Sequence, residues 1–431
     1  MTEGYWSSRW PGEDGGPTRR QQPAGGTGLA IAPGERLEVV SRDAMASTMV
    51  VLRDPGEAYL LCHTAGDDAV SWVERFHPET LDVLERSEDL AGGRTWPGGL
   101  AAHANGSLYV VFGRHAHRLA ADCTRLATTE LPRAAPYNSF VILPDGHLVT
   151  KDFGGLLPGE TAETRGDIPP AELLVLEPDR LEIVARLELP EPSVARISAD
   201  GADIYVVGVD HLLRARWDGT HLTLDTDFQT RYRTMDGQTY GWDAVLDAGA
   251  AWFLDNGAGS EGYAGTFRGR GISPAPLHLV RVDLASGAVG LTEICGLPNG
   301  VVANPPAIDA GRRIAVGYDS ANRVLAAFDV DDAGATSPRW RREQDHACHP
   351  ILLPDTGELV TNDHDAERMM DQVVVLDVET GEERARADTG SPVQSVLFPA
   401  PGFGRDLYCC SFTTLSRVTV APAPGHRIAT D

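Results

Sequence analysis

The sequence predicts an all-β protein, a closed β-propeller of eight four-stranded blades with an N-terminal strand completing the last one. Three observations predict it. A unit of strand, Asp-Gly or Asn-Gly turn and second β-branched strand recurs along the chain, as in Gly99-Leu100-Ala101-Ala102-His103-Ala104-Asn105-Gly106-Ser107-Leu108-Tyr109-Val110-Val111 and again over 138–150. The copies are spaced roughly forty to fifty residues apart, the period of a propeller blade. The last copy has only three strands, and the chain carries a spare strand near its start.

Taken in order, residues 1–34 are rich in Gly, Pro and Arg and read as a flexible N-terminal tail. Residues 35–422 form a single propeller domain, and 423–431 a C-terminal tail. The alternation of β-branched and aromatic residues between turn residues places the first blade's strands at 49–52, 58–62, 71–76 and 81–86. Further blades follow over 98–132, 138–190, 193–229, 242–297, 299–344 and 348–389. The last group offers strands at 395–398, 407–412 and 415–420, and 35–40 supplies the fourth. Joining both termini in one sheet closes the ring and removes a sheet edge. If the segments near 48 or 193 are parsed otherwise, the count is seven. Long Gly- and Pro-rich insertions at 154–171 and 257–276 read as loops, either binding elements and lids or surface excursions.

The charge balance is 37 basic against 62 acidic residues, net −25. That opposes nucleic-acid and anionic-membrane binding, whose sequence-independent attraction needs positive charge. A small neutral or cationic molecule is the partner that fits. No run of about eighteen apolar residues occurs, so no membrane span is expected. Six cysteines and the lack of an apolar run of signal-peptide type point to reduced thiols in a cytoplasmic protein. Adjacent Cys409 and Cys410 fall in a strand, where neighbours face opposite ways, so they fill two layers.

In a propeller the innermost strands line the axis, and polar residues at their starts can meet around one ligand. Thr48, Asn138, Asp243, Asn299, His349 and Gln394 hold those positions. A second ring, just past the second strands, comprises His63, Asp152, Asp255, Asp319 and Asp363. Four blades thus supply a polar pair, and convergent carboxylate and amide oxygens suit a divalent cation such as calcium. The alternative is that these Asp and Asn residues cap turns by accepting from backbone amides.

The stretch Pro298-Asn299-Gly300-Val301-Val302-Ala303, followed by Asp309, Gly311 and 312–331, resembles the metal-binding blade of the SMP-30/gluconolactonase/strictosidine-synthase-like propellers. The resemblance implies that Asn299 is a ligand of a central metal, calcium by family habit. It also implies that Asn138, followed by Pro144-Asp145-Gly146, contacts metal or substrate. Where the family's next blade offers an Asp as ligand and base, this chain has His349. A neutral imidazole can act as general base near neutral pH or bind a borderline metal, and is a poor calcium ligand. Lys151 is the only lysine of the chain, and a lysine can serve as nucleophile or proton carrier where arginine cannot. An ion pair with Asp152 is its structural alternative. A Gly-x-Ser-x-Gly elbow, a phosphate-binding glycine loop and a zinc-type cysteine pairing are all missing.

Three functions are compatible with this pattern. The first is metal-assisted hydrolysis of a lactone or ester in an axial pocket, with Asn299, Asn138 and His349 on the metal, His349, Asp243 or Lys151 in catalysis, and Asn138, Asp152, Asp255 and Asp319 on the substrate. The second is a metal-independent acid/base enzyme, a cyclase, isomerase or condensing enzyme acting on a natural-product-like molecule. The third is a propeller that serves only as an interaction platform.

Overall fold

A computed structural model describes residues 3–25 and 28–422. Eight sheets stand among the described residues, each a meander of four antiparallel strands. The first seven blades span residues 47–86, 99–130, 137–188, 198–231, 245–293, 307–343 and 351–388. Blade 1 carries an additional short strand, Leu90–Gly93, paired with its third. Blade 8 is built from Ala400–Pro401, Asp406–Cys410 and Thr414–Ala421, completed by Arg36–Asp43. That N-terminal strand pairs in unbroken antiparallel register from Arg36 opposite Ala421 to Asp43 opposite Thr414. The expected blade count and ring closure are both present.

Burial follows position in the blade. The first two strands of blade 1, Ser47–Leu52 and Ala58–His63, are buried at every residue, because blades pack against neighbours on both faces. The outermost strand of blade 3, Ile183–Glu188, alternates half-buried and exposed residues at the rim. Deleting residues 36–43 would leave the Thr414–Ala421 edge unpaired, an invitation to pair with another chain. The expected outcome is a shift to aggregates on size-exclusion chromatography.

Two features differ from the sequence-based expectation. First, the innermost strands of blades 4–8 are short and begin later, at Ser198, Val245, Ala307, Ile351 and Ala400. The chain just ahead of each leaves the ladder and turns towards the axis. Second, the segment expected as a tail is packed inside the ring. Trp10, Glu13, Asp14, Arg19 and Gln21 are all buried. Backbone carbonyls of Trp10, Pro11, Pro17, Thr18 and Gln21 accept from the amides of Leu52, Ala102, Ala199, Leu246 and Leu352, inner-strand residues of blades 1, 2, 4, 5 and 7. Inner-edge donors that would otherwise stay unpaired in the interior are satisfied this way. Its Gly and Pro content makes tight turns rather than slack: Asp14, Arg19 and Gln21 hold left-handed φ values of 51°, 52° and 58°, beside Gly15 at 85°. The expected C-terminal tail, 423–431, lies outside the described residues.

Candidate axial site

The segments that precede the inner strands converge on one end of the axis and line an open cavity of about 190 Å³. Trp96 and Pro97 come from the approach to blade 2, Arg196 from blade 4, Trp242 from blade 5, Asn304 from blade 6, His349 from blade 7 and Phe398 from blade 8. Both long insertions contribute as well, Pro158 from the first and Ser260, Glu261, Tyr263 and Phe267 from the second. Rings dominate the wall. Trp96 stacks on Phe153 at 4.2 Å and lies nearly parallel to Trp242 at 6.3 Å. Tyr263 contacts Phe267 at 5.0 Å and Phe412 at 6.0 Å. The second insertion is pinned down: the Tyr263 hydroxyl donates to the Gln394 carbonyl at 2.6 Å, and Gln394 Oε1 accepts from the Phe267 amide at 2.8 Å.

Beneath the rings lies a buried ionic floor made largely by the N-terminal segment. His349 Nδ1 is 2.8 Å from Asp14 Oδ1, and the imidazole packs on Phe398 at 3.9 Å. Asp14 Oδ2 accepts from Arg19 Nη1 at 2.8 Å, and Arg19 Nη2 also pairs with Glu13. Glu13 is shared with Arg196, whose Nη1 lies 3.2 Å from Oε2. Asp243 Oδ1 accepts from the Arg196 amide at 2.7 Å, and its Oδ2 stands 3.9 Å from Arg196 Nε. The Arg196 guanidinium also donates to the carbonyls of Pro97 and Asn138 and sits 4.5 Å over the Phe398 ring. Burial opposes ionisation of Asp14, but His349 and Arg19 outweigh it and hold its pKa below the ordinary carboxylate value. Three carboxylates, Glu13, Asp14 and Asp243, face two guanidiniums, Arg19 and Arg196, which leaves one formal negative charge.

Of the sequence-predicted residues, the structure brings together His349 and Asp243. The others are elsewhere, for identifiable reasons. Asn299 is on an exposed loop, its backbone N–H bonded to the Ser273 carbonyl, and it is not among the residues that line the cavity. Asn138 is buried below the floor, where Nδ2 donates to the Val194 carbonyl at 3.0 Å and the main chain holds Arg196. It supports the site rather than lining it. Lys151 is fully buried outside the cavity wall, with Nζ donating to the carbonyls of Asp152 at 3.1 Å and Ser193 at 2.9 Å. Burial pushes its pKa from the ordinary 10.5 down to about 7.

The Asp ring past the second strands performs one structural job several times. Asp152 accepts from the Glu172 amide at 2.7 Å and Asp255 from the His278 amide at 2.6 Å, each the first residue of the blade's third strand. Asp319 accepts from the amides of Val301 and Asn322, and Asp363 from that of Asp345. These carboxylates tie strand crossovers, and Asp152, Asp255 and Asp319 are not among the residues that line the cavity. His346 and His364 also separate from His349: His346 packs edge-on to Tyr318 at 4.3 Å, and His364 Nε2 lies 3.2 Å from the Pro392 carbonyl.

Sequence reasoning missed Asp14, Glu13, Arg19, Arg196 and the two tryptophans. Arg196 holds the same place ahead of its inner strand as His349 does and was findable by that analogy. Asp14 carries no such signal, because a Gly-rich segment reveals nothing about where it docks.

One cation-binding arrangement exists among the described residues: ligand atoms of Asp14, Asp243 and His349 lie within 4.8 Å of one another. It fits calcium poorly. Calcium takes about six to eight oxygens, whereas this set offers two carboxylates already bonded to arginine or its amide, plus an imidazole nitrogen. A nitrogen-and-carboxylate donor set suits a borderline ion better.

No family model matches the chain, and no curated protein matches it. Solved structures do. The quinohemoprotein alcohol dehydrogenase from Comamonas testosteroni superposes with a TM-score of 0.62 at 10% identity, covering 98% of this chain and 82% of that one. A europium-containing methanol dehydrogenase gives 0.60 at 10%, over 93% and 89% of the two chains. BamB from Moraxella catarrhalis gives 0.58 at 11%, over 91% and 99%. No helix among the described residues is long and apolar enough to cross a membrane. At such identities the likeness shows the fold alone, and the fold is that of an eight-bladed β-propeller.

Proposed function

We propose that the protein is a small-molecule enzyme whose axial cavity presents an organic substrate to His349 acting as general base, with Asp14 orienting the imidazole. The observation that carries this reading is the placement of His349 between a carboxylate and a cavity. Its Nδ1–H donates to Asp14, which leaves the Nε2 lone pair without a hydrogen bond to any described residue on a ring that lines the cavity. The residual negative charge of the floor favours the imidazolium formed when Nε2 takes a proton from substrate or from a water beside it. Rings on the wall exclude bulk water, which strengthens that electrostatic contribution. Hydrolysis of a lactone or ester, and cyclisation or isomerisation of an apolar molecule, are the reaction classes such a base serves.

The test is turnover of a panel of small lactones, aryl esters and enolisable ketones by the wild type, His349→Gln and Asp14→Asn. His349→Gln is expected to lower kcat by about 10²- to 10⁴-fold, with Asp14→Asn also impaired. Full activity in His349→Gln overturns the reading. Absence of any turnover, together with no ligand-induced rise in Tm across a metabolite panel, favours the interaction platform instead.

The 4.8 Å cluster supports a second reading, in which Asp14, Asp243 and His349 hold a borderline divalent ion that would polarise a carbonyl. Elemental analysis of native protein decides it. Stoichiometric zinc that disappears in Asp243→Asn and persists in Asn299→Ala supports this reading, and metal-free active protein rejects it.

A further inference from the structure

Resting on the reading of the cavity as a substrate site, we propose that its ligand is an organic ammonium ion with a small apolar body, its cation held among aromatic faces and lone-pair acceptors. Three polar groups on the wall, Asn304, His349 and Glu261, present acceptors, while the Trp242 Nε1–H and the Ser260 hydroxyl are donors without a partner there. Asn304 Nδ2 donates to the carbonyls of Ala347 and Val396, so its amide orientation is set and Oδ1 is left as an acceptor. His63 Nδ1 lies 2.6 Å from the Thr64 carbonyl, which can only accept, so the proton is on Nδ1; its Nε2 is unpartnered but buried out of reach of the cavity space, so His63 adds only its ring to the wall. His349 presents Nε2 by the same logic, through Asp14. Glu261 adds a carboxylate that accepts only from the Gly259 amide. A ligand that brings N–H donors and positive charge satisfies Asn304 Oδ1, His349 Nε2 and the Glu261 carboxylate, whereas an anion meets their lone pairs.

The rings act in the same direction. Aromatic faces attract a cation through their quadrupoles, most strongly when water is excluded, and this wall carries two tryptophans, a tyrosine and three phenylalanines. Arg196 is the one cation on the wall, and Glu13, Asp243 and the Phe398 face cancel it. The net charge of −25 draws the same class of ligand from a distance. The volume has room for such a ligand: roughly 150 Å³ accommodates benzene, and about 190 Å³ takes one ring with a short amine-bearing arm.

Calorimetric titration at pH 7.5 with phenethylamine, 2-phenylethanol and 3-phenylpropionate separates charge from shape. Phenethylamine is expected to bind at least about tenfold more tightly than the alcohol, a difference of about 1.4 kcal/mol, with no detectable binding of the carboxylate. Glu261→Gln is expected to narrow the amine-to-alcohol ratio severalfold while leaving alcohol affinity unchanged, with Tm confirming the fold. Trp96→Ala should weaken both ligands and the amine more. Equal or tighter binding of the alcohol or carboxylate overturns the ammonium assignment and leaves the cavity's role intact. Binding of none of the three overturns the assignment as well, and the turnover panel with His349→Gln then judges the enzyme reading by itself.

Discussion

Arg19→Ala is expected to destabilise the protein by about 3–5 kcal/mol, the cost of removing one partner from a buried ion network. Its guanidinium has 1% side-chain exposure and pairs with Glu13 and Asp14, which are buried as well. It also donates through Nε to the Ile197 carbonyl at 2.9 Å. Deleting it leaves two carboxylates and a carbonyl under-compensated in the ring's interior and loosens the segment that carries Asp14. Arg20, one residue on, is the control. Its side chain is half exposed and 3.3 Å from Asp247, so Arg20→Ala should change stability by less than about 1 kcal/mol. Urea unfolding of both variants beside the wild type makes the comparison. Equal midpoints for Arg19→Ala and wild type would show that the N-terminal segment is not docked in the axis in solution.

The second large effect is a pH dependence carried by Lys151. Its folded pKa, about 7, lies below the ordinary 10.5 because burial disfavours the ammonium, against the pull of Asp152 and Asp243. Between those two values the unfolded chain binds the proton and the folded one does not, so stability rises with pH across this window. Below it both states are protonated, above it both are neutral, and the contribution is flat. The slope is at most about 1.4 kcal/mol per pH unit. Lys151→Met abolishes that slope and adds a pH-independent penalty for the carbonyls of Asp152 and Ser193, which lose their donor. The wild type should therefore gain about 2–3 kcal/mol on the variant between pH 7.5 and 9.5. Buried thiols and tyrosines with raised pKa, such as Cys123 and Tyr137, pull stability down at the alkaline end. They are common to both proteins and cancel in the difference. Parallel stability curves would mean that Lys151 stays charged in the fold.

The repeat was legible because strand, turn and strand are local: 99–111 and 138–150 each encode a hairpin without reference to the rest of the chain. The closing strand was legible for a similar reason, since Leu37 and Val39 alternate with polar residues and blade 8 lacked a partner. His349 and Asp243 were found from their place ahead of an inner strand, a property of each blade alone. The Asp ring misled because acidic residues at strand crossovers serve backbone amides and ligands equally well by sequence. Only the bonds of Asp152 to the Glu172 amide and of Asp255 to the His278 amide reveal which role they take. Asn299 misled because its loop motif matches a family pattern while its side chain faces out.

By itself, then, the chain's pattern determined the propeller, a count of eight or seven blades, the sheet that joins the termini and the histidine ahead of an inner strand. Each follows from periodicity and turn chemistry acting over a few tens of residues. Only the tertiary structure decided that a Gly- and Pro-rich N-terminal segment fills the ring and that Asp14, 335 residues from His349, pairs with its Nδ1. It alone also decided that aromatic residues from separate segments wall the cavity. Those contacts arise from inner-edge amides and buried charges seeking partners in three dimensions, and sequence separation carries no information about that search.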